Sequence, residues 1–242
     1  HALPEPVAWR TPPVDRALAQ SDRLVVEVAT LGDGETTRAV FARLAASPGL
    51  PPLAERVPGA QRAALARLVR ETGTDPAALD RLESWAAAIT LTQLLVPEHD
   101  AANGIDRALL NAANGKPVAE LEGAERQLAV LDRLAEEDQR AMLRAVLGGA
   151  DRAEAEAQRL AALWARGDTD GIARATAAGL LADPELREAL LLKRNREWTA
   201  AVEARLRLGE RPLVAVGAAH LAGADGLPAQ LAARGWRVTR LQ

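Results

Sequence analysis

Apolar residues recur at spacings of three and four through most of the chain, in stretches dominated by Ala, Leu, Arg and Glu. These residues favour helix, and the spacing puts the apolar side chains on one helical face, so the pattern predicts a mainly helical protein. Two predicted helices begin at Pro76 and Pro184, each directly after a capping aspartate, Asp75 and Asp183. The predicted helices cover residues 35–46, 59–72, 76–95, 104–114, 123–136, 138–148, 151–166, 169–180 and 184–208.

Strand patterns are few and lie mainly toward the two ends of the chain. Residues 24–28 and 213–216 form short, nearly continuous apolar runs rich in valine, which are typical of strands covered on both faces. Residues 236–241 alternate apolar and charged side chains, as a half-exposed edge strand does. The predicted strands are 23–28, 117–121, 212–216 and 236–241. With a helix over 225–234 between them, the last two predict a β-α-β unit.

These elements predict an α/β fold that is predominantly helical, with a small mixed β-sheet and a large helical cap. At 242 residues the chain is near the upper end of what one hydrophobic core supports. We therefore expect a single domain over residues 1–242, with the helical cap at roughly 35–115 and 123–210, between the strands of the sheet. No apolar run is long enough to cross a bilayer.

Composition narrows the range of ligands. The 30 basic and 33 acidic residues give a formal net charge of −3 and are interspersed along the chain, and the sequence has no Tyr and one Phe. This pattern lacks the basic patch and stacking aromatics of nucleic-acid binding. Because cysteine is absent, any metal must be bound by His and carboxylate groups. The chain begins at His1 rather than Met, so we expect an upstream segment, of which a signal peptide could be part.

Several polar residues follow predicted strands. His220 comes after the 212–216 strand and Gly217, in the loop at the carboxyl end of the strand, where open α/β sheets form their ligand crevice. Glu27 ends the first strand among valines, and Glu122 follows the second strand. Each also has an ordinary interpretation: His220 as the cap of a turn, Glu27 as a solvent-facing side chain, and Glu122 as a charge favoured at a helix start.

Arg194 and Asn195 lie inside the predicted helix 184–208, where an asparagine hints at a polar contact. No role is assigned to His99. The chain has no HExxH, Walker, GxGxxG or GxSxG motif. Imidazoles and carboxylates at several strand ends could together bind a divalent metal and activate a water molecule.

The chain resembles the Tiki/TraB/GumN family through nearly its whole length. The order and spacing of several segments carry the resemblance, and together they are far more specific than any single motif. These segments are 1–4, 17–27, 104–106, 115–122, Gln127, Trp164, 167–168, 194–195 and 216–221, with Gly223 and 226–227.

The resemblance implies a site built from two GxxH motifs and acidic residues. His220 would be the histidine of the second motif and His1 that of the first, although the residues that precede this histidine in the first motif are not in the sequence. Glu27 and Glu122 would be the acidic residues of the site. Arg194 and Asn195 would be a polar pair on a helix. The animal Tiki proteins are described as metal-dependent proteases, and many bacterial members look exported, which implies the periplasm or cell envelope.

The resulting hypothesis is a metal-dependent hydrolase of peptide bonds. His1, Glu27, Glu122 and His220 would hold a divalent Mn, Co or Zn ion or position its water. Arg194 and Asn195 would stabilise negative charge on the carbonyl oxygen. The alternatives are a metal-free esterase-like hydrolase with a histidine as general base, a non-catalytic protein that binds a peptide, haem or another small ligand, and an inactive scaffold. The expected partner is a peptide or small-molecule substrate.

Overall fold

The computed structural model describes residues 9–29, 34–95 and 104–241. Its sheet has three strands in the order β2-β1-β3, with β1 (Arg23–Val26) between β2 (Val118–Glu120) and β3 (Pro212–Ala215). Both pairings are parallel, so a small parallel sheet in a predominantly helical α/β fold replaces the predicted mixed sheet over these residues. Leu24, Val25 and Val26 are fully buried because β1 has a neighbour on each side and cover on both faces.

Helices make up most of the described chain. They are α1 (Pro12–Gln20), α2 (Gly34–Leu44), α3 (Gly59–Thr72), α4 (Pro76–Asp80), α5 (Ser84–Leu95), α6 (Ile105–Ala112), α7 (Gly123–Asp132), α8 (Glu136–Gly149), α9 (Ala153–Ala165), α10 (Thr169–Ala177), α11 (Pro184–Arg187), α12 (Lys193–Arg207) and α13 (Leu227–Ala233). A π-helical turn, Glu188–Leu192, joins α11 to α12. Every predicted helix has a counterpart, but 76–95 is interrupted at residues 81–83 and 184–208 contains the π-helical turn.

The largest apolar core lies among the helices rather than at the sheet. Trp85 and Leu91 of α5 pack in one buried cluster with Met142 and Leu143 of α8. Buried Arg56 lies beside this cluster and donates to the carbonyl oxygens of Leu82 at 2.6 Å and Asp80 at 2.9 Å. Burial lowers the pKa of the Arg56 guanidinium, against nearby carboxylates that raise it. The interruption between α4 and α5 leaves backbone carbonyls without a helical hydrogen bond, and Arg56 donates to two of them.

The C-terminal segment corrects the prediction of a fourth strand. Residues 236–241 form no strand and pair with none of the described strands, so the predicted β-α-β unit is wrong. Side chains attach this segment to helices instead, since Trp236 Nε1 donates to Glu203 at 3.3 Å and Arg240 Nη2 donates to the Gly167 carbonyl at 2.5 Å. Within the described ranges, no helix is both long and apolar enough to cross a membrane.

Glu203 gives the attachment of this segment a dependence on pH. Arg207, Arg234 and Trp236 donate to its carboxylate and hold the pKa of Glu203 at about 2, below the ordinary 4.5. A depressed pKa means that the stabilisation is fully present above about pH 4.5 and is lost as the pH falls through about 2. We expect Glu203→Gln to have a lower free energy of unfolding than the wild type at pH 7. This difference in free energy should shrink as the pH falls from about 4.5 to about 2.

Urea denaturation at a series of pH values measures this difference. Glu197→Gln is the control on the same helix, because Glu197 makes one exposed ion pair with Arg126, at 3.7 Å. If the difference in free energy of unfolding between Glu203→Gln and the wild type stays constant from about pH 4.5 to about pH 2, the stabilising role given to the Glu203 carboxylate is wrong.

Candidate functional site

The candidate site lies at the carboxyl ends of the three strands. Glu27 follows β1, Glu122 follows β2, and Gly217 and His220 follow β3. Since parallel strands end at the same edge of a sheet, these residues converge there. The backbone reinforces the convergence, because the amides of Glu122 and Gly123 donate to the Glu27 carbonyl at 3.2 and 3.0 Å.

Glu27 is 3% exposed and is fully engaged by donors. Its Oε1 accepts from the Gly217 amide at 2.6 Å, and its Oε2 accepts from Gln127 and Arg194, each at 3.2 Å. A Cβ on residue 217 would lie 3.3 Å from Glu27 Oε1, so glycine permits this close approach. A buried carboxylate needs such partners, which explains how Glu27 is accommodated inside the protein.

Arg194 joins the two carboxylates. Its Nε and Nη2 each donate to Glu122 at 2.8 Å in a bidentate pair, and Nη2 also lies 3.2 Å from Glu27. Its Cζ lies 4.5 Å from the centre of the Trp198 ring, which stacks beneath it and donates Nε1 to Glu122 at 3.2 Å. Arg194 Nη1 donates at 3.0 Å to the carbonyl of Leu190, in the π-helical turn. Such turns occur frequently at functional sites.

Asn195 orients His220, which is 7% exposed. The Asn195 Nδ2 donates to the Asp225 carbonyl at 2.8 Å, so its Oδ1 faces His220 Nδ1, at 2.5 Å. Because Oδ1 can only accept, the ring proton of a neutral His220 belongs on Nδ1. His220 Nε2 then carries the lone pair, 3.4 Å from Arg194 Nη1, and the ring lies 4.3 Å from the Trp198 ring.

The expected metal site is only partly described. His1, one of its four predicted ligands, lies outside the described residues. Among the residues that are described, no group of three His, Asp or Glu side chains is arranged to hold a metal ion. Arg194 supplies the positive charge between Glu27 and Glu122, and donors already occupy all four of their oxygens. In the described arrangement the guanidinium takes the place of a cation between the two carboxylates, so an ion could bind there only if Arg194 released them.

The structure brings together the five other residues that the sequence singled out. They are Glu27, Glu122, Arg194, Asn195 and His220. Trp198 was missed as a site residue, although it lies four positions after Arg194 and therefore on the same helical face. His99 lies outside the described residues.

Comparisons with known proteins identify the family of the chain. The model of the TraB/PrgY/gumN family matches residues 1–240, and the chain belongs to this family. Two relatives, both named "Uncharacterized protein YbaP", come from Escherichia coli K12 and Shigella flexneri. Each is 32% identical over 220 residues, which cover 89% of this chain and 79% of the relative. No solved structure matches significantly.

Proposed function

We propose that the chain is a hydrolase that cleaves acyl bonds, peptide bonds first among them, with His220 at its centre. The observation that carries the proposal is the orientation of the imidazole, which Asn195 holds with Nε2 directed at Arg194. A neutral imidazole whose second nitrogen is hydrogen-bonded in this way is arranged to accept a proton. The proposal also draws on membership of the TraB/PrgY/gumN family.

The chemistry follows from the charges of the site. Nε2 of His220 takes a proton from a water molecule whose oxygen attacks the carbonyl carbon of the substrate. The π electrons of the carbonyl pass to its oxygen. The N–H groups of Arg194 are engaged by Glu27, Glu122, the Leu190 carbonyl and His220, so its positive charge stabilises the developing negative charge electrostatically rather than through a hydrogen bond. As the tetrahedral intermediate collapses, the imidazolium returns its proton to the departing amine or alkoxide. Glu27 and Glu122 fix the guanidinium, and Asn195 fixes the ring.

A second form of the proposal includes a divalent Mn, Co or Zn ion. It is favoured by the bond from His220 Nδ1 to Asn195, because metal-binding histidines usually donate their other ring proton to such a partner. His220, Glu27 and Glu122, with His1, would hold the ion, and Arg194 would have to release the carboxylates. A bound ion would supply a water molecule that ionises near neutral pH.

Turnover with and without metal tests both forms. The protein is incubated with a peptide library and a panel of acyl esters, as purified, after chelation and dialysis, and after addition of Mn²⁺, Co²⁺ or Zn²⁺. Peptide cleavage that survives full chelation supports the metal-free form, whereas cleavage lost on chelation and restored by an ion supports the metal-dependent form.

The competing function is a binding protein for a peptide, haem or another small ligand. It predicts saturable binding with no cleavage under any of these conditions, and that result would overturn the hydrolase proposal. The resemblance to exported bacterial proteins leads us also to propose a periplasmic or envelope location. Fractionation of cells that express the full-length gene tests the location.

A further inference from the structure

The helical region contains a cavity that shares no lining residue with the candidate functional site. A cavity of about 530 Å³ lies between α3 and α4, beside Leu53. This volume falls within the range of small-molecule sites. On α3 it is lined at one-face spacing by Arg62, Leu65, Ala66, Val69 and Arg70. Buried leucines, among them Leu53 and Leu65, line the inner part of the cavity. Arg62 and Arg70 stand toward the two ends of this face of α3.

The cavity offers few hydrogen bonds to the body of a ligand. Besides the arginines, its polar side chains are Thr74 and Asp80. Asp80 accepts from the Leu53 amide at 2.7 Å, and Thr74 Oγ1 lies 2.7 Å from Thr72 Oγ1. A peptide backbone buried here would leave its amides poorly paired, at a cost in free energy. An alkyl chain has no such groups.

The two arginines supply positive charge that no ion pair among the described residues neutralises. Arg62 and Arg70 are exposed and form no ion pair with the described residues, whereas Arg67 on the same helix pairs with Asp151 at 2.5 Å. Eight residues of helix separate Arg62 from Arg70 by roughly 12 Å along the axis. Each therefore stands near one end of the groove, where a carboxylate at the end of an apolar chain would meet it.

We propose that this groove binds a medium-chain fatty acid. The alkyl chain lies over Leu65, Ala66 and Val69, and the carboxylate pairs with Arg62 or Arg70. This activity goes beyond the proposed hydrolysis and does not depend on it, because the two sites have no residue in common.

Blocking the groove is the first test. Ala66 is exposed and faces the cavity, whereas Ala63 is exposed on the same helix and does not line it. Isothermal titration with sodium decanoate should show a dissociation constant at least tenfold weaker for Ala66→Trp than for the wild type. Ala63→Trp should bind as the wild type does. Urea denaturation of both variants shows that each is folded.

Removing the charge is the second test. The double variant Arg62→Gln and Arg70→Gln should bind decanoate at least fivefold more weakly, and the single variants identify the end that holds the carboxylate. Arg67→Gln is the matched control. The uncharged decan-1-ol should bind the wild type and the double variant alike.

Three results would overturn the proposal. They are an absence of saturable decanoate binding, binding that Ala66→Trp leaves unchanged, and binding that is indifferent to the loss of both arginines. An acidic amphipathic peptide or a second copy of the chain that occupies the groove, with no competition from decanoate, would also count against it.

Discussion

Replacement of His220 by alanine is expected to lower kcat for peptide hydrolysis by about 100- to 10,000-fold, the usual contribution of a positioned acid–base group. The loss falls on kcat because the imidazole acts on the attacking water and the leaving group. Steady-state rates on the best peptide of the library measure it. His99→Ala is the matched control, since the sequence assigns His99 no role, and it should retain wild-type rates.

Because His220 is buried, its removal could also affect folding, so the unfolding of His220→Ala is measured in parallel. A folded His220→Ala protein that still cleaves within about threefold of the wild-type rate would contradict its place at the centre of the reaction. If the wild type binds a ligand without cleaving it, and His220→Ala lowers only the affinity for that ligand, the protein is a binding protein.

Substitution of Arg194 by methionine is expected to lower the free energy of unfolding by about 3–5 kcal/mol. The side chain of Arg194 is 12% exposed, and those of Glu27 and Glu122 are each 4% exposed, so its removal leaves two buried carboxylates without their cation. Urea denaturation at pH 7 measures the effect. Adding Glu122→Gln to the Arg194→Met variant should recover part of the loss, because one buried charge is then removed.

Arg196→Met is the control for this experiment. Arg196 lies two residues away on the same helix and pairs with Glu188, but both side chains are about half exposed. Exposed pairs contribute at most about 1 kcal/mol, so its substitution should cost little. Equal losses for Arg194→Met and Arg196→Met would show that the buried network does not contribute to stability as described.

The fold was predictable where the signal was local. The helix at 59–72 ends at Gly73, whose left-handed conformation (φ 66°) suits a glycine. The break at residues 81–83 was not predictable, because the Glu83 amide donates to the distant Ala45 carbonyl at 2.7 Å. The alternation at 236–241 misled because the apolar side chains Val238 and Leu241 are exposed, at 47% and 69%, and the segment pairs with no described strand. Helix α1 was missed although Thr11 caps it ahead of two prolines.

The sequence predicted which residues form the candidate site but not how their side chains are arranged. Placement after strands identified Glu27, Glu122 and His220, because parallel strands bring their carboxyl ends together. The link through Arg194 and the cover by Trp198 depend on how α12 is rotated against the sheet, which no local pattern records. Asn195 was expected to stabilise charge on the substrate, whereas its amide is engaged by His220 and the Asp225 carbonyl.

The protonation state of the His220 ring tests the central claim most directly. Long-range ¹H–¹⁵N correlation spectra of the histidine side chains distinguish the two neutral tautomers and the imidazolium, with His220→Ala used to assign the signal. The proposed mechanism predicts a neutral His220 with its proton on Nδ1, donated to Asn195, and a lone pair on Nε2. A ring that carries its proton on Nε2 could not accept one from water there, and that result would contradict the account.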